Sequence, residues 1–236
     1  EIEKLLDNKK ILYYNILSDS FGINCLKIET EDKEQYIVKY YYKKESRFNA
    51  IKSEADNILF LNKHKFNFFP KIINNNNKFL IMSFIDNNNN LPIKTNDDLL
   101  GAIISLHSKK GNNYGFNFDT QIGGLKQSNS NSKNWVEFYR DKRLHYIFDL
   151  INKNQPMDKV INTKIKLLLK KIDNFIPNKP KPSLLHGDLW EGNILFKNKK
   201  FSGFIDPGSF YGHNELEVSY LRWFEPTFID RNFLDK

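Results

Sequence analysis

Cysteine is nearly absent: Cys25 is the only one in 236 residues. No intramolecular disulfide framework and no thiolate zinc cluster can form within the chain, and a cytoplasmic location is the expectation that follows. Long apolar runs are missing too. None reaches the roughly 18 to 20 residues that span a bilayer, and the stretch after Glu1 lacks the basic, apolar and small-residue succession of a secretory leader. No membrane association is expected. The formal charge is +8, yet the basic residues are mostly lysines scattered among Asn and Ile. That distribution predicts a solvated basic surface and no specific nucleic-acid partner.

What is present suits a folded chain. With 40% hydrophobic and 14% aromatic residues it can bury a sizeable core. Segments 25–29 and 35–41, rich in aromatic and β-branched residues, flank a charged turn at 30–34 and predict an antiparallel hairpin. From about Ser46 to His64, Ile51, Ala55, Ile58 and Leu59 recur at helical spacing. The apolar run Phe79 to Ile85 reads as a buried strand leading into the Asn87–Asn90 loop, which we take as a lobe boundary. Further helices are expected over 97–107, from Trp135 to about Ile151 and from Val160 to Ile176, with a long polar loop between Gly111 and Lys133. The fold class is α+β and bilobal. Residues 1–85 form a small β-rich lobe with one helix, and residues 86–236 a larger, mainly helical lobe.

The chemistry concentrates near residue 190. The segment His186-Gly187-Asp188-Leu189-Trp190-Glu191-Gly192-Asn193 sets an Asp and an Asn on a glycine-containing loop. Phosphoryl transfer needs that pair: a carboxylate to accept the proton of the attacking hydroxyl, and an amide oxygen for Mg²⁺, which prefers oxygen ligands. Residues 194–197 and 201–205 around the turn Asn198-Lys199-Lys200 read as a hairpin, which brings Asp206 back to Asn193 as a second metal ligand beside Asp188. Either tripeptide alone, His186-Gly187-Asp188 or Asp206-Pro207-Gly208, also reads as an ordinary turn; the fixed order and the intervening hairpin favour a phosphotransferase site. Upstream, Glu54 shares the helical face of Ile51 and Ile58, and a buried carboxylate needs a partner. Lys39, at the end of a strand, is the candidate, though a surface lysine and a rim glutamate are the bland alternative.

With these motifs in place, the chain resembles the fructosamine (ketosamine-3-) kinases, of the superfamily that includes aminoglycoside and choline kinases. The resemblance rests on His186 to Asn193, on Asp206-Pro207 with Phe210-Tyr211-Gly212-His213-Asn214-Glu215, and on Tyr114-Gly115-Phe116, Ile122-Gly123 and Trp135 to Tyr139 with Arg143-Leu144. It implies transfer of the ATP γ-phosphate to the C3 hydroxyl of a small-molecule or protein-bound ketosamine, supporting deglycation. Asp188 is then the base, Asn193 and Asp206 bind Mg²⁺, Lys39 and Glu54 position the phosphates, and Met82-Ser83-Phe84-Ile85 form the hinge that meets adenine. Trp190 is either a platform for the substrate or packing beneath the loop; His213 either contacts substrate or is structural. A monomer is expected.

Three departures stand out. The phosphate-covering loop, Ser18 to Asn24, retains one glycine, Gly22; Glu191 stands where relatives carry a small residue; and the chain stops soon after Phe233, where relatives continue. The resemblance therefore leaves room for weaker nucleotide binding and an incomplete substrate pocket. A kinase for an aminoglycoside, choline or another alcohol, and a non-catalytic nucleotide-binding module, remain as alternatives.

Overall fold

In the computed structural model, which describes residues 2–43 and 48–236, a short helix α1 (Ile2–Leu5) precedes three strands, β1 (Ile11–Ser20), β2 (Ile23–Thr30) and β3 (Gln35–Tyr41). Helix α2 (Ala50–Lys63) follows, then β4 (Ile72–Asn75) and β5 (Phe79–Ser83). The five strands make one antiparallel sheet in the order β1-β2-β3-β5-β4. Strand alternation separates its two faces. Leu26, Ile28, Tyr36, Val38 and Ile81 close over Leu6 on one side, while Leu80 and Met82 pack against Ile51, Ala55 and Ile58 of α2 on the other.

Beyond β5 the chain runs without regular structure to α3 (Asp97–Ser108), then through a small hairpin, β6 (Thr120–Ile122) and β7 (Leu125–Gln127). Helix α4 (Trp135–Tyr139) passes through a π-helical turn, Arg140–Leu144, into α5 (His145–Asn154), and α6 (Lys159–Lys170) follows. Strand β8 (Ser183–Leu185) precedes the hairpin β9 (Ile194–Lys197) and β10 (Lys200–Phe204), then β11 (Phe210–Gly212), α7 (Asn214–Trp223) and α8 (Arg231–Leu234). Strands β8 and β11 pair, which draws the segments around 186 and 208 together. The main core joins Leu99, Ile103 and Leu106 of α3 to Trp135, Phe138, Phe196, Phe204 and Phe210. Leu61, Phe66 and Phe69, at the end of α2 and just beyond it, enter this core. They anchor α2 in the helical part.

Several elements differ from the sequence expectation. Strands β1 and β4 were not anticipated. β1 is an edge strand whose Leu12, Tyr13, Tyr14, Ile16 and Leu17 are all exposed, so it carries no burial alternation to read. The expected helix start at Ser46 lies outside the described residues; α2 is present from Ala50. The strand over 79–85 ends at Ser83, the polar loop 111–133 contains the β6–β7 hairpin, and the helix from Trp135 is interrupted by the π turn. Asparagine does more than lengthen loops. Asn49, Asn96 and Asn134 each cap a helix, accepting the backbone N–H of Lys52, Leu99 and Glu137 respectively. No helix among the described residues is long and apolar enough to cross a membrane. Replacing Asn96 by Ala removes the cap ahead of Asp97 and Asp98, and urea denaturation should register a loss of about 1 kcal/mol.

Candidate active site

Lys39 sits on β3 opposite Leu80 of β5, its side chain directed toward α2 and nearly sealed from solvent. Its ammonium donates to both oxygens of Glu54, at 2.8 and 3.0 Å, and to Asp206 Oδ1 at 2.6 Å. The sheet, the helix behind it and the segment after β10 thus converge on one cation. Burial disfavours the charge on Lys39, but the Asp206 and Glu54 carboxylates outweigh it and hold the ammonium protonated above the ordinary lysine range. Burial also pushes the Glu54 carboxyl up, against the downward pull of Lys39.

Asp188 and Asn193 stand beside this group. The Asn193 side-chain amide donates to the Asp188 backbone oxygen at 2.7 Å and to Asp188 Oδ2 at 3.2 Å. Its carbonyl oxygen makes no hydrogen bond among the described residues. The Ile205 N–H donates to Asn193 O at 3.1 Å, which seats Asp206 next to Asn193. Burial, reinforced by the charge on Asp206, pushes the Asp188 carboxyl up to about 6, with the Asn193 bond opposing it. Asp206 itself has a left-handed backbone, φ 55°. A cleft of about 840 Å³ is lined by Lys39, Glu54, Asp188, Asn193 and Asp206 together with Met82, Ser83, Phe84, Ile85 and Trp190.

Trp190 presents its ring over Gly192, where a Cβ would lie 2.4 Å from the indole, and contacts Phe224 at 5.6 Å between ring centroids. His213 is not brought into the cleft. It lies edge-on to Trp135, between the end of β11 and the start of α7, with Nδ1 at 3.7 Å from Glu215. The β1–β2 turn reaches across the cleft mouth, where Phe21 packs on Gly123 and Gly124 of the β6–β7 turn.

Residues to which the sequence reading gave no role of their own hold the loop in place. His186 is fully buried and donates through Nε2 to Ile205 O at 2.9 Å, while its Nδ1 accepts from the Asp188 N–H at 3.3 Å. Burial pushes its pKa down, so the ring is neutral and bridges the two segments that carry Asp188 and Asp206. Glu217 of α7 accepts the backbone N–H groups of His186 and Gly187, at 3.0 and 2.7 Å, and His107 Nε2 at 2.9 Å. Glu217 stands one helical turn before buried Leu221, the same kind of signal that marked Glu54. Between these contacts Gly187 adopts φ 88°, and a Cβ there would meet Gly208 O at 2.1 Å.

The family model for fructosamine kinase matches residues 20–233. The chain belongs to that family. Among curated relatives, the protein-ribulosamine 3-kinase of Arabidopsis thaliana is 34% identical over 161 residues, 66% of this chain and 48% of that protein. The ketosamine-3-kinase of Mus musculus is 38% identical over 111 residues, 47% of this chain and 36% of that one. The chain therefore spans about half or less of these two fructosamine kinase relatives. A crystal structure of a candidate fructosamine-3-kinase from Haemophilus somnus 129PT superimposes with a TM-score of 0.81 at 22% identity, covering 99% of this chain and 79% of that one. An ADP-bound aminoglycoside phosphotransferase gives 0.62 at 20% identity, covering 98% and 78%. The fold is kinase-like.

The buried pairs make two predictions. Lys39→Met strands Glu54 without its partner and should lower unfolding free energy by about 3 to 5 kcal/mol in chemical denaturation, less if Glu54 takes up a proton. Burial tends to raise the Glu217 pKa, but the His107 hydrogen bond, the nearby histidines and the Gly187 N–H outweigh it and hold it below the ordinary value. Its stabilisation is complete above about pH 4.3, the unfolded value, and is lost as pH falls through the lower folded value. Glu217→Gln should be less stable than wild type near neutrality, and the gap should narrow in acid denaturation below about pH 4.3.

Proposed function

We propose that the chain is an ATP-dependent kinase that transfers the γ-phosphate to the C3 hydroxyl of a ketosamine, a fructosamine or ribulosamine, in support of deglycation. The observation that carries this reading is the gathering of Asp188, Asn193, Asp206 and the Lys39–Glu54 pair at one cleft beside Trp190. In this reading the chain has two lobes, 1–85 for the nucleotide and 86–236 for catalysis and acceptor, with β9–β10 as the catalytic hairpin.

ATP suits the cleft. Its volume accommodates a nucleotide, the Ile85 N–H makes no hydrogen bond among the described residues and is available to adenine, and Lys39 presents a fixed positive charge for phosphate oxygens. The donor set also fits Mg²⁺. The Asn193 carbonyl oxygen and Asp206 Oδ2 are hard oxygen ligands without a protein hydrogen bond among the described residues. Bound there, the ion would neutralise charge on the transferring phosphoryl group.

Asp188 then orients the acceptor hydroxyl and takes its proton. Asn193 holds the Asp188 carboxylate from one side, leaving its other oxygen to face the acceptor. Lys39, clamped by Glu54, has little rotational freedom left to lose when it grips phosphate. Trp190, 38% exposed at the cleft edge, offers a flat face to the sugar or its amine substituent.

The test is an ATP-consumption assay with Mg²⁺ over fructosamines and ribulosamines, with aminoglycosides and choline as competing acceptors. Turnover of the latter with none of the former would overturn the acceptor assignment. Asp188→Asn should retain nucleotide binding and lose about 10² to 10⁴ in turnover; normal turnover in that variant would remove Asp188 from the mechanism.

A further inference from the structure

The catalytic loop and the end of α7 carry aromatic side chains that the fold leaves open to solvent. Beyond residue 86 five large aromatics are exposed, and four of them, Trp190, Tyr220, Trp223 and Phe224, belong to these two segments. Apolar side chains exposed singly are ordinary, but a contiguous group at the edge of a cleft marks a surface that a ligand can cover. Three of the four are in ring contact. The Trp190 and Phe224 centroids lie 5.6 Å apart with their planes tilted by 48°, and Tyr220 meets Phe224 edge-on at 5.7 Å.

Helix α7 sets this ledge against the loop. Glu217 faces the loop and accepts the His186 and Gly187 amides. Tyr220 stands three positions further on and Phe224, which caps the helix, four beyond that, so both share the loop-facing side. Leu221 beside them is fully buried and fixes the helix, while Tyr220 and Phe224 remain 38% and 49% exposed. Trp190 joins the ledge to the chemistry, because it lines the cleft together with Asp188 and also packs on Phe224. Tyr220 is close as well. Burial, and then the charge on Asp188, push its pKa up, so the phenol is within electrostatic reach of that carboxylate.

We infer that Trp190, Phe224 and Tyr220 form the subsite for the amine substituent of the acceptor, and that the substituent it selects is flat and apolar, as in the ketosamine of an amine that bears an aryl group. The inference rests on the ketosamine reading and narrows it to one class of amine. The nitrogen of a ketosamine is carried on C1 of the sugar, a few bonds from the C3 hydroxyl. With that hydroxyl at Asp188, a substituent that leaves the cleft over Trp190 meets Phe224 next. The nitrogen is protonated near neutrality, and an indole face attracts such a cation. What lies beyond the nitrogen is offered ring surface and one phenol. An aryl group placed there gains face and edge contacts and takes exposed aromatic area out of water, which a short or polar chain does not.

The test compares the fructosamines of methylamine and benzylamine, which differ by one phenyl group and carry the same charge. In the wild-type protein the benzyl compound should have a KM lower by about three- to tenfold, with similar kcat. Phe224→Leu and Tyr220→Leu should each shrink that gap through KM and not kcat. Equal KM values in the wild-type protein overturn the inference whether or not the variants fold, and so does a gap that both folded variants keep in full. Should neither variant fold, tryptophan fluorescence of the wild-type protein is the measurement: the fructosamine of 4-nitrobenzylamine should quench it more than 4-nitrobenzyl alcohol at the same concentration, and equal quenching overturns the inference. If neither fructosamine is phosphorylated, the proposed reaction fails, and calorimetric titration of the same pair decides the subsite separately: tighter binding of the benzyl compound upholds it, and equal affinity or no binding by either overturns it.

Discussion

The position of Lys39 constrains everything around it. One ammonium is shared by a carboxylate from the helix behind the sheet and another from the loop after the last hairpin, 167 residues away in sequence from the lysine. Removing the ammonium leaves two carboxylates with no cation between them, Glu54 among them out of water, and charges in such a setting are held by geometry as much as by attraction. The sheet register places Lys39, α2 places Glu54, and β10 places Asp206. The charge on Asp206 in turn helps raise the pKa of Asp188, so the electrostatics of the loop at 188 depend on the same carboxylate that Lys39 holds.

Around this centre lies a layer of buried polar residues that reach the cleft through others. Neutral His186 bridges the two loop segments, Glu217 gathers two amides of the turn before Asp188, and His107 from α3 supports Glu217. These are positioning residues. Their contacts to backbone fix the direction in which Asp188 and Asp206 point, while Phe69 and Phe204 pack on the faces and edge of the His186 ring.

Local signals in the sequence reached part of this arrangement. The β2–β3 hairpin and α3 were legible from periodicity, and Glu54 from the conflict between its charge and its apolar stripe. Lys39, near the end of the strand over 35–41, then supplied the partner. The contact of Lys39 with Asp206 had no local trace, because it depends on how the sheet packs on the helices through Leu61, Phe66 and Phe69. β1 was illegible for the opposite reason: an edge strand exposed on both faces has no alternation. His213 read as a candidate from motif resemblance alone, and it lies beside Trp135 and Glu215, not among the residues that line the cleft. The role of Asn as a helix cap was hidden by its abundance in loops.

The left-handed backbone at Asp206 narrows what can ever occupy that position. Asparagine and glycine accept this conformation readily; β-branched and bulky residues resist it. Charge at 206 can thus be lost silently as far as the main chain is concerned, by Asp becoming Asn, whereas nearly every other exchange would twist the segment that Asn193 and His186 hold. A descendant of this chain that kept the architecture but abandoned its acid at 206 would be expected to carry asparagine or glycine there.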